Sequence, residues 1–362
     1  MEGVISLGVG EPDFATPWHI REAAIHSLEK GYTMYTSNSG LLELRQELVR
    51  YLRAAYHLDY DPYGELLITN GVSEGLDLAL RAILDPGDEV ILSDPCYVAY
   101  PPCVLFSGGV PVLVPTSPDN NFKLDASDIK ARITNQTKAI LIGYPANPTG
   151  AVMGREELAQ IADVAKQHNL LVVSDEIYSR LVYETQHTCF ASLPEMKERT
   201  ILLGGFSKAY AMTGWRIGYA AASTEIIQAM TRIHQYTALC SSIMGQVAAI
   251  EALKGGEEAV RQMVKEYDQR RRVIVKGLNE IGLDCFEPKG AFYAFPSIRI
   301  TGLSSEEFAE RLLLEERVAV VPGSAFGQCG EGHVRCCYAT SLEDIEEALK
   351  RMGRFVERHK HK

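Results

Sequence analysis

A largely parallel α/β domain joined to a smaller α+β unit is the fold class this sequence predicts. Three observations lead there. Short apolar runs alternate with helical patterns from about residue 65 to 225, as expected of strands joined by helical crossovers. After about residue 257 the order changes to longer helices between a few short strands. A length of 362 residues is long for one core and comfortable for two linked units. The expected division is a large unit, 31–260, and a small unit made of 1–30 and 261–362.

The elements follow in order. Leu66-Leu67-Ile68-Thr69 is a strand, and a helical pattern begins near Glu74. Asp85-Pro86-Gly87-Asp88 is a turn signal before the strand Glu89–Leu92. Further strands are Val110–Val114, Ala139–Ile142, Leu170–Val173 and Ile201–Leu203. Arg155–His168 carries Leu158, Ile161, Ala162 and Ala165 at helical spacing. In the C-terminal part, Glu257–Ile281 reads as one long helix, with Met263, Tyr267, Ile274 and Leu278 on its apolar face. Its basic run Arg270-Arg271-Arg272 is expected to form a solvated face. Ala291–Phe295, the helix Ser304–Glu315, the strands Val318–Val321 and His333–Tyr338, and the helix Leu342–Arg358 complete the small unit.

Composition excludes several functions. A formal net charge of −11 gives a surface that repels nucleic acid and anionic lipid. It does not exclude an anionic substrate, because a local arginine can dominate a pocket. The eight cysteines include no CxxC, and the nine histidines no HExxH, so no metal is expected and the thiols read as reduced. No apolar run approaches the ~20 residues that cross a bilayer. The chain opens on Val4-Ile5-Ser6-Leu7-Gly8-Val9-Gly10 without a basic leader. A cytoplasmic protein is expected. The end, Arg358-His359-Lys360-His361-Lys362, reads as a solvated, frayed tail.

Ligands in open α/β sheets bind beyond the carboxyl ends of the strands, so the residues just past each strand carry the functional reading. Asn70-Gly71-Val72-Ser73-Glu74-Gly75 is a small-residue loop opening a helix, where free N–H groups and the helix dipole make a phosphate seat. Asp94-Pro95-Cys96-Tyr97 presents an aromatic ring, and Tyr144-Pro145-Ala146-Asn147-Pro148-Thr149-Gly150 an amide. Ser174-Asp175-Glu176-Ile177-Tyr178 presents an acid and a phenol three residues apart. After Ile201–Leu203 comes Gly205-Phe206-Ser207-Lys208, with Arg216 eight positions beyond the lysine.

A lysine in this setting suits imine formation, since burial lowers its pKa towards usefulness. One cofactor wants all five strand ends together. Pyridoxal 5'-phosphate has an aldehyde for Lys208 and a ring on which Tyr97 can stack. Its pyridine nitrogen must stay protonated if the ring is to act as an electron sink, which a buried Asp175 enforces. Tyr178 and Asn147 can hydrogen-bond its phenolic oxygen. Ser207, Arg216 and the loop Val72-Ser73-Glu74 can hold its phosphate. Each element alone is an ordinary turn, core ring or acidic pair; their order along the chain is what carries the reading.

With these residues the chain resembles the class I/II aminotransferases of the fold-type I pyridoxal-phosphate family, in the branch of bacterial and archaeal aspartate and aromatic aminotransferases. The likeness runs through Gly8-x-Gly10-Glu11-Pro12-Asp13-Phe14, Tyr35-x4-Gly40-x3-Leu44-Arg45, Asn147-Pro148-Thr149-Gly150, Asp175-Glu176-x-Tyr178 and the block Gly205–Gly218. It continues through Pro288–Tyr293, Val321–Gly327 and Val334-Arg335-x2-Tyr338-Ala339. The resemblance implies that Arg335 pairs with the substrate α-carboxylate, that Asn147 also touches it, and that Gly10 lies in a mobile lid over the substrate. It implies that Tyr35 reaches the cofactor phosphate of a neighbouring subunit, so that a homodimer shares its sites. Relatives commonly begin some tens of residues earlier, with a segment that helps to join the subunits. Family members carry Ser or Gly three before the lysine; Gly205 stands here, leaving Ser207 as the hydroxyl for phosphate.

The activity expected is ping-pong transamination through a Lys208 Schiff base, from an L-amino acid to a 2-oxo acid. A carbon–sulfur β-lyase or a decarboxylase on the same fold is the alternative. A DNA-binding regulator and a dinucleotide enzyme fit worse: no such extension is visible, and neither Gly8-x-Gly10 nor Gly327-x2-Gly330-x-Gly332 is a GxGxxG. Substrate side-chain selectivity is not encoded in spacing, although Tyr97, Tyr100 and Phe14 place aromatic character near the mouth.

Overall fold

Alternating residues of the central strands face opposite cores, and that alternation organises the molecule. A computed structural model of the chain describes residues 3–360. Its strands are β1 Ile5–Ser6, β2 Leu66–Thr69, β3 Glu89–Asp94, β4 Val110–Pro115, β5 Thr137–Ile142, β6 Leu171–Asp175, β7 Thr200–Gly205, β8 Gly218–Ala221, β9 Tyr293–Ala294, β10 Val318–Ala319, β11 Val321–Pro322 and β12 Val334–Cys337. Its helices are α1 Trp18–Glu29, α2 Leu42–Tyr56, α3 Gly71–Ile83, α4 Tyr100–Phe106, α5 Ala126–Lys130, α6 Arg155–Gln167, α7 Thr224–Thr237, α8 Ile243–Gly255, α9 Glu257–Glu280, α10 Ser305–Glu316 and α11 Leu342–His359.

Seven strands form the main sheet in the order β2-β8-β7-β6-β5-β3-β4. Six run parallel, and β8 alone is antiparallel to both its neighbours. Along β5, Ala139 and Leu141 join the core under α3 and α7, with Leu76, Leu80, Ile227 and Met230. Ile140 and Ile142 join the opposite core with Leu158, Ile161 and Ala165 of α6. A strand covered on both faces needs such a continuous apolar run, which is why these strands are legible locally.

The C-terminal elements build a core from Tyr267, Ile274 and Leu278 of α9 to Phe308 of α10 and Phe355 of α11, which Tyr178, Leu181 and Tyr183 join from the residues after β6. The strand expected at Val318–Val321 is divided. Its first half, β10, pairs with β1, while β11 pairs with β12 in a separate three-stranded sheet. Helix α1 crosses to the large unit: Ile20 and Ala24 share a core with Leu44, Leu48, Ile68 and Ala249.

Two surface expectations are corrected. The basic run of α9 is not a solvated face, since Arg271 is 1% exposed and Arg270 is buried. Arg271 pairs with Asp268 and Glu287, at 2.7 Å each. Arg270 grips Asp13, and Arg272 pairs with Glu184 and Asp268. The frayed tail is helical through His359, where Arg358 and His359 pair with Glu315. His361 and Lys362 lie outside the described residues.

Candidate active site

The parallel strands end on one edge of the sheet, and a cavity of about 530 Å³ opens there. Val72 and Ser73 reach it from the start of α3, Asp175 from the end of β6, and Tyr97, Asn147 and Tyr178 from the loops between. Ser207, Lys208 and Arg216 come from the turn between β7 and β8, Arg335 from β12, and Gly10 from the segment after β1. The structure thus brings together every residue expected of the site except Glu74 and Tyr35, the latter expected at a neighbouring subunit's site. Tyr35 is 79% exposed and does not line the cavity. Glu74 turns its carboxylate away: Oε2 accepts from Asn70 N at 2.5 Å and Nδ2 at 3.1 Å, and Oε1 meets His234 Nδ1 at 2.8 Å.

Asp175 is enclosed. Its Oδ2 accepts from Tyr100 Oη at 2.9 Å and its Oδ1 from the Ile177 N–H at 3.1 Å. Burial pushes its carboxyl up to about 6, although both hydrogen bonds pull the other way. Lys208 shows the complementary shift: burial lowers its amine to about 8, with Arg335 and Arg216 adding to the effect and Cys337 and Glu11 opposing it. Opposed shifts of an acid and an amine in one cleft mark a functional site.

Arg335 lies between two rings, 4.4 Å from the Tyr293 centroid and 5.0 Å from that of Phe326. Its Nη1 donates to Asn147 Oδ1 at 2.9 Å and its Nη2 to Gly8 O at 2.6 Å. Its buried Nε has no hydrogen-bond partner among the described residues. In the segment from Gly8 to Thr16, Val9, Gly10 and Glu11 line the cavity. Lys208 Nζ donates to Gly10 O at 2.6 Å, and Thr213 Oγ1 to Glu11 at 3.1 Å. Thr16 donates to Ala211 O at 2.6 Å and accepts from Trp215 Nε1 at 2.9 Å.

Three site partners had no clear signal in the sequence. Tyr100, expected near the mouth, is buried and bonded to Asp175. Tyr293 Oη lies 2.6 Å from Tyr178 Oη, so Tyr178 already has a phenolic partner. Thr213 sits inside the lysine block as one small residue among several. Phe14, also expected near the mouth, instead packs edge-on against Tyr267 at 5.5 Å.

The cavity fits pyridoxal 5'-phosphate by two observations. The enclosed acid and the lysine of lowered pKa line the same space, as the ring nitrogen and the aldehyde require. Arg216, in the left-handed region at φ 55, brings its guanidinium onto Gly71, where an added Cβ would lie 2.6 Å from Nη2. A cation is thereby laid against the first turn of a helix, a setting for phosphate.

Comparison with known proteins agrees with this chemistry. A family model described as "Aminotransferase class I and II" matches residues 2–352. The chain is 57% identical to the putative aminotransferase YugH of Bacillus subtilis, over 98% of this chain and 92% of that protein. It is 47% identical to the aspartate aminotransferase of Pyrococcus abyssi, over 99% of this chain and 93% of that protein. Among solved structures, the aromatic aminotransferase from Pyrococcus horikoshii superposes with a TM-score of 0.97 at 47% identity, covering 99% of this chain and 96% of that one.

Proposed function

This chain belongs to the class I and II aminotransferase family, and from that premise we propose that it moves the amino group of an L-amino acid to a 2-oxo acid by ping-pong transfer. It is an aminotransferase and uses pyridoxal 5'-phosphate. The observation that carries the reading is the convergence of Lys208, Asp175, Arg216 and Arg335 on one cavity from separate elements.

When bound, the cofactor supplies an aldehyde that condenses with amines and a protonated ring that accepts the electron pair left when a bond to Cα breaks. The chain's residues do the rest. Ser207, Arg216 and the N–H groups of Val72 and Ser73 would hold the phosphate. Asp175 would keep the proton on the pyridine nitrogen through a charge-assisted hydrogen bond that its burial strengthens. Asn147 and Tyr178, which line the cavity, would hydrogen-bond the cofactor's phenolic oxygen, and Tyr97 would supply a ring for stacking. Arg335 takes the substrate carboxylate with its planar fork, exchanging the Gly8 carbonyl for it. Lys208 Nζ would remove the Cα proton as general base and, as general acid, deliver it to the carbon of the cofactor's former aldehyde. The Gly8–Thr16 segment excludes water above it.

We further propose a cytoplasmic homodimer with shared sites. Tyr35 and Tyr236, 79% and 83% exposed, support it. Asn38 Nδ2 donates to Leu239 O at 2.8 Å, so their two loops adjoin in an apolar patch of the kind that a partner covers.

Incubating the loaded protein with each amino acid alone tests the function. A transaminase stops after one half-turnover, releases a 2-oxo acid and restarts when a second 2-oxo acid such as 2-oxoglutarate is added. Continuous release of pyruvate and ammonia would replace this reading with a β-lyase.

A further inference from the structure

His234 lies on α7, fully buried at 0% exposure, outside the cavity and unused by the chemistry above. Its Nδ1 donates to Glu74 Oε1 at 2.8 Å, and its Nε2 has no partner among the described residues. Burying an imidazole with one nitrogen unsatisfied costs free energy, so the bond it does make needs an account. Burial would raise the Glu74 carboxyl, yet the hydrogen bonds from His234 and Asn70 outweigh it and hold its pKa below the ordinary value. Glu74 is therefore an ionised acceptor, and it spends its second oxygen on Asn70, through both the backbone N–H and the side-chain amide.

Asn70 is the residue at the N-cap of α3. Asparagine there normally turns its side-chain oxygen onto the N–H groups of the first turn. Here it makes no side-chain cap. Its amide is held sideways by Glu74, which is held in turn by His234. Val72 and Ser73, whose first-turn N–H groups such a cap would occupy, line the cavity, and the Arg216 guanidinium lies against Gly71 beside them.

We infer that His234 and Glu74 are positioning residues for phosphate: they keep Asn70 from capping its own helix and so leave the first turn of α3 free for an anion. The inference rests on the cofactor seat proposed above. Neither side chain touches the anion. Losing either lets Asn70 swing onto Val72 and Ser73 and compete with the ligand.

The test compares pyridoxal 5'-phosphate with pyridoxal, which lacks the phosphate, as ligands of the full-length apoprotein titrated by absorbance. The wild-type protein prefers the phosphorylated form; equal affinities would refute the seat itself. His234→Ala and Glu74→Ala lower the affinity for pyridoxal 5'-phosphate by about tenfold, the scale of one competing hydrogen bond to an anion, and leave that for pyridoxal unchanged. His234→Asn, which keeps an amide donor near the place of Nδ1, retains most of the preference. Adding Asn70→Ala to His234→Ala restores it, because the competing side chain is gone. A role in stability alone would lower the melting temperature and leave the ratio of the two affinities at the wild-type value. That unchanged ratio in Glu74→Ala and His234→Ala, or a failure of Asn70→Ala to restore it, overturns the inference. Should His234→Ala fail to fold, Glu74→Ala with and without Asn70→Ala gives the same comparison.

Discussion

Gly10→Ala isolates the part played by the segment over the cavity. A Cβ built at Gly10 would lie 2.5 Å from Tyr293 Oη, about 0.9 Å short of the 3.4 Å at which ordinary contact begins. Tyr293 cannot yield easily. It is buried, its hydroxyl is bonded to Tyr178 at 2.6 Å, and its ring lies under Arg335 at 4.4 Å. The segment must lift instead, by close to 1 Å. That lift stretches the Gly10–Lys208 and Gly8–Arg335 contacts, both 2.6 Å. A misplacement of about 1 Å near a reacting centre costs up to about 100-fold in rate. Steady-state kinetics of Gly10→Ala should therefore show kcat/KM for the amino donor lowered by about 10- to 100-fold. Cofactor absorbance should be unchanged, since Asp175 and the phosphate seat are untouched. Gly214→Ala is the control. It lies in the lysine block, but a Cβ there meets nothing within 4 Å, so its kinetics should match the wild type. A Gly10→Ala enzyme within twofold of wild-type kcat/KM would refute the argument that this segment acts through close packing on Tyr293.

Three other outcomes follow from the same geometry. Asp175→Asn should keep the cofactor in the cavity and cut turnover severely, by about 1,000-fold or more if protonating the ring nitrogen supplies several kcal/mol of the barrier lowering; near-normal turnover would remove Asp175 from that role. Arg335→Lys keeps the charge and loses the fork, so kcat/KM for the amino acid should drop by about 30- to 1,000-fold on the scale of a truncated buried charge pair, with cofactor absorbance intact; a loss below threefold would contradict the carboxylate assignment. Lys208 must be neutral to capture the cofactor, and its pKa is lowered to about 8. Capture by the apoprotein, followed by stopped-flow absorbance, should therefore speed up as pH rises and level off above about 8. By the same shift the folded state sheds this proton before the unfolded one, so the burial penalty of the charged amine is present below 8 and relieved as pH rises from there towards 10.5. A capture rate still climbing beyond pH 10 would place the amine in an ordinary, exposed setting.

The site was legible because a parallel sheet lines up its strand ends. Residues 73, 97, 147, 175 and 208 are scattered in sequence, but each ends or follows a largely buried strand, and such strands are continuous apolar runs. Strand β8 carried no comparable signal: Gly-Tyr-Ala-Ala is short and mostly small, and it is held by pairing to β2 and β7 rather than by its own pattern. The division of 318–322 between two sheets was hidden for a related reason, since β1 comes from the far end of the chain. Side-chain direction was hidden too. Glu74 sits where a phosphate-seat residue should, yet its carboxylate is claimed by His234, 160 residues away. Arg270 and Arg271 looked solvated because, beside Glu266 and Asp268 of their own helix, they have partners in Asp13, Glu184 and Glu287 from other segments. Helical periodicity says which residues share a face, not what other parts of the chain bring to that face.

The central claim is that Lys208 is the residue that joins the cofactor. Reduction of the loaded protein with borohydride, followed by proteolysis and mass mapping, reads this directly. The account predicts a single pyridoxyl-modified peptide, with the modification on Lys208 and none in Lys208→Ala. A modification on another lysine, or an unchanged pattern in Lys208→Ala, would contradict it.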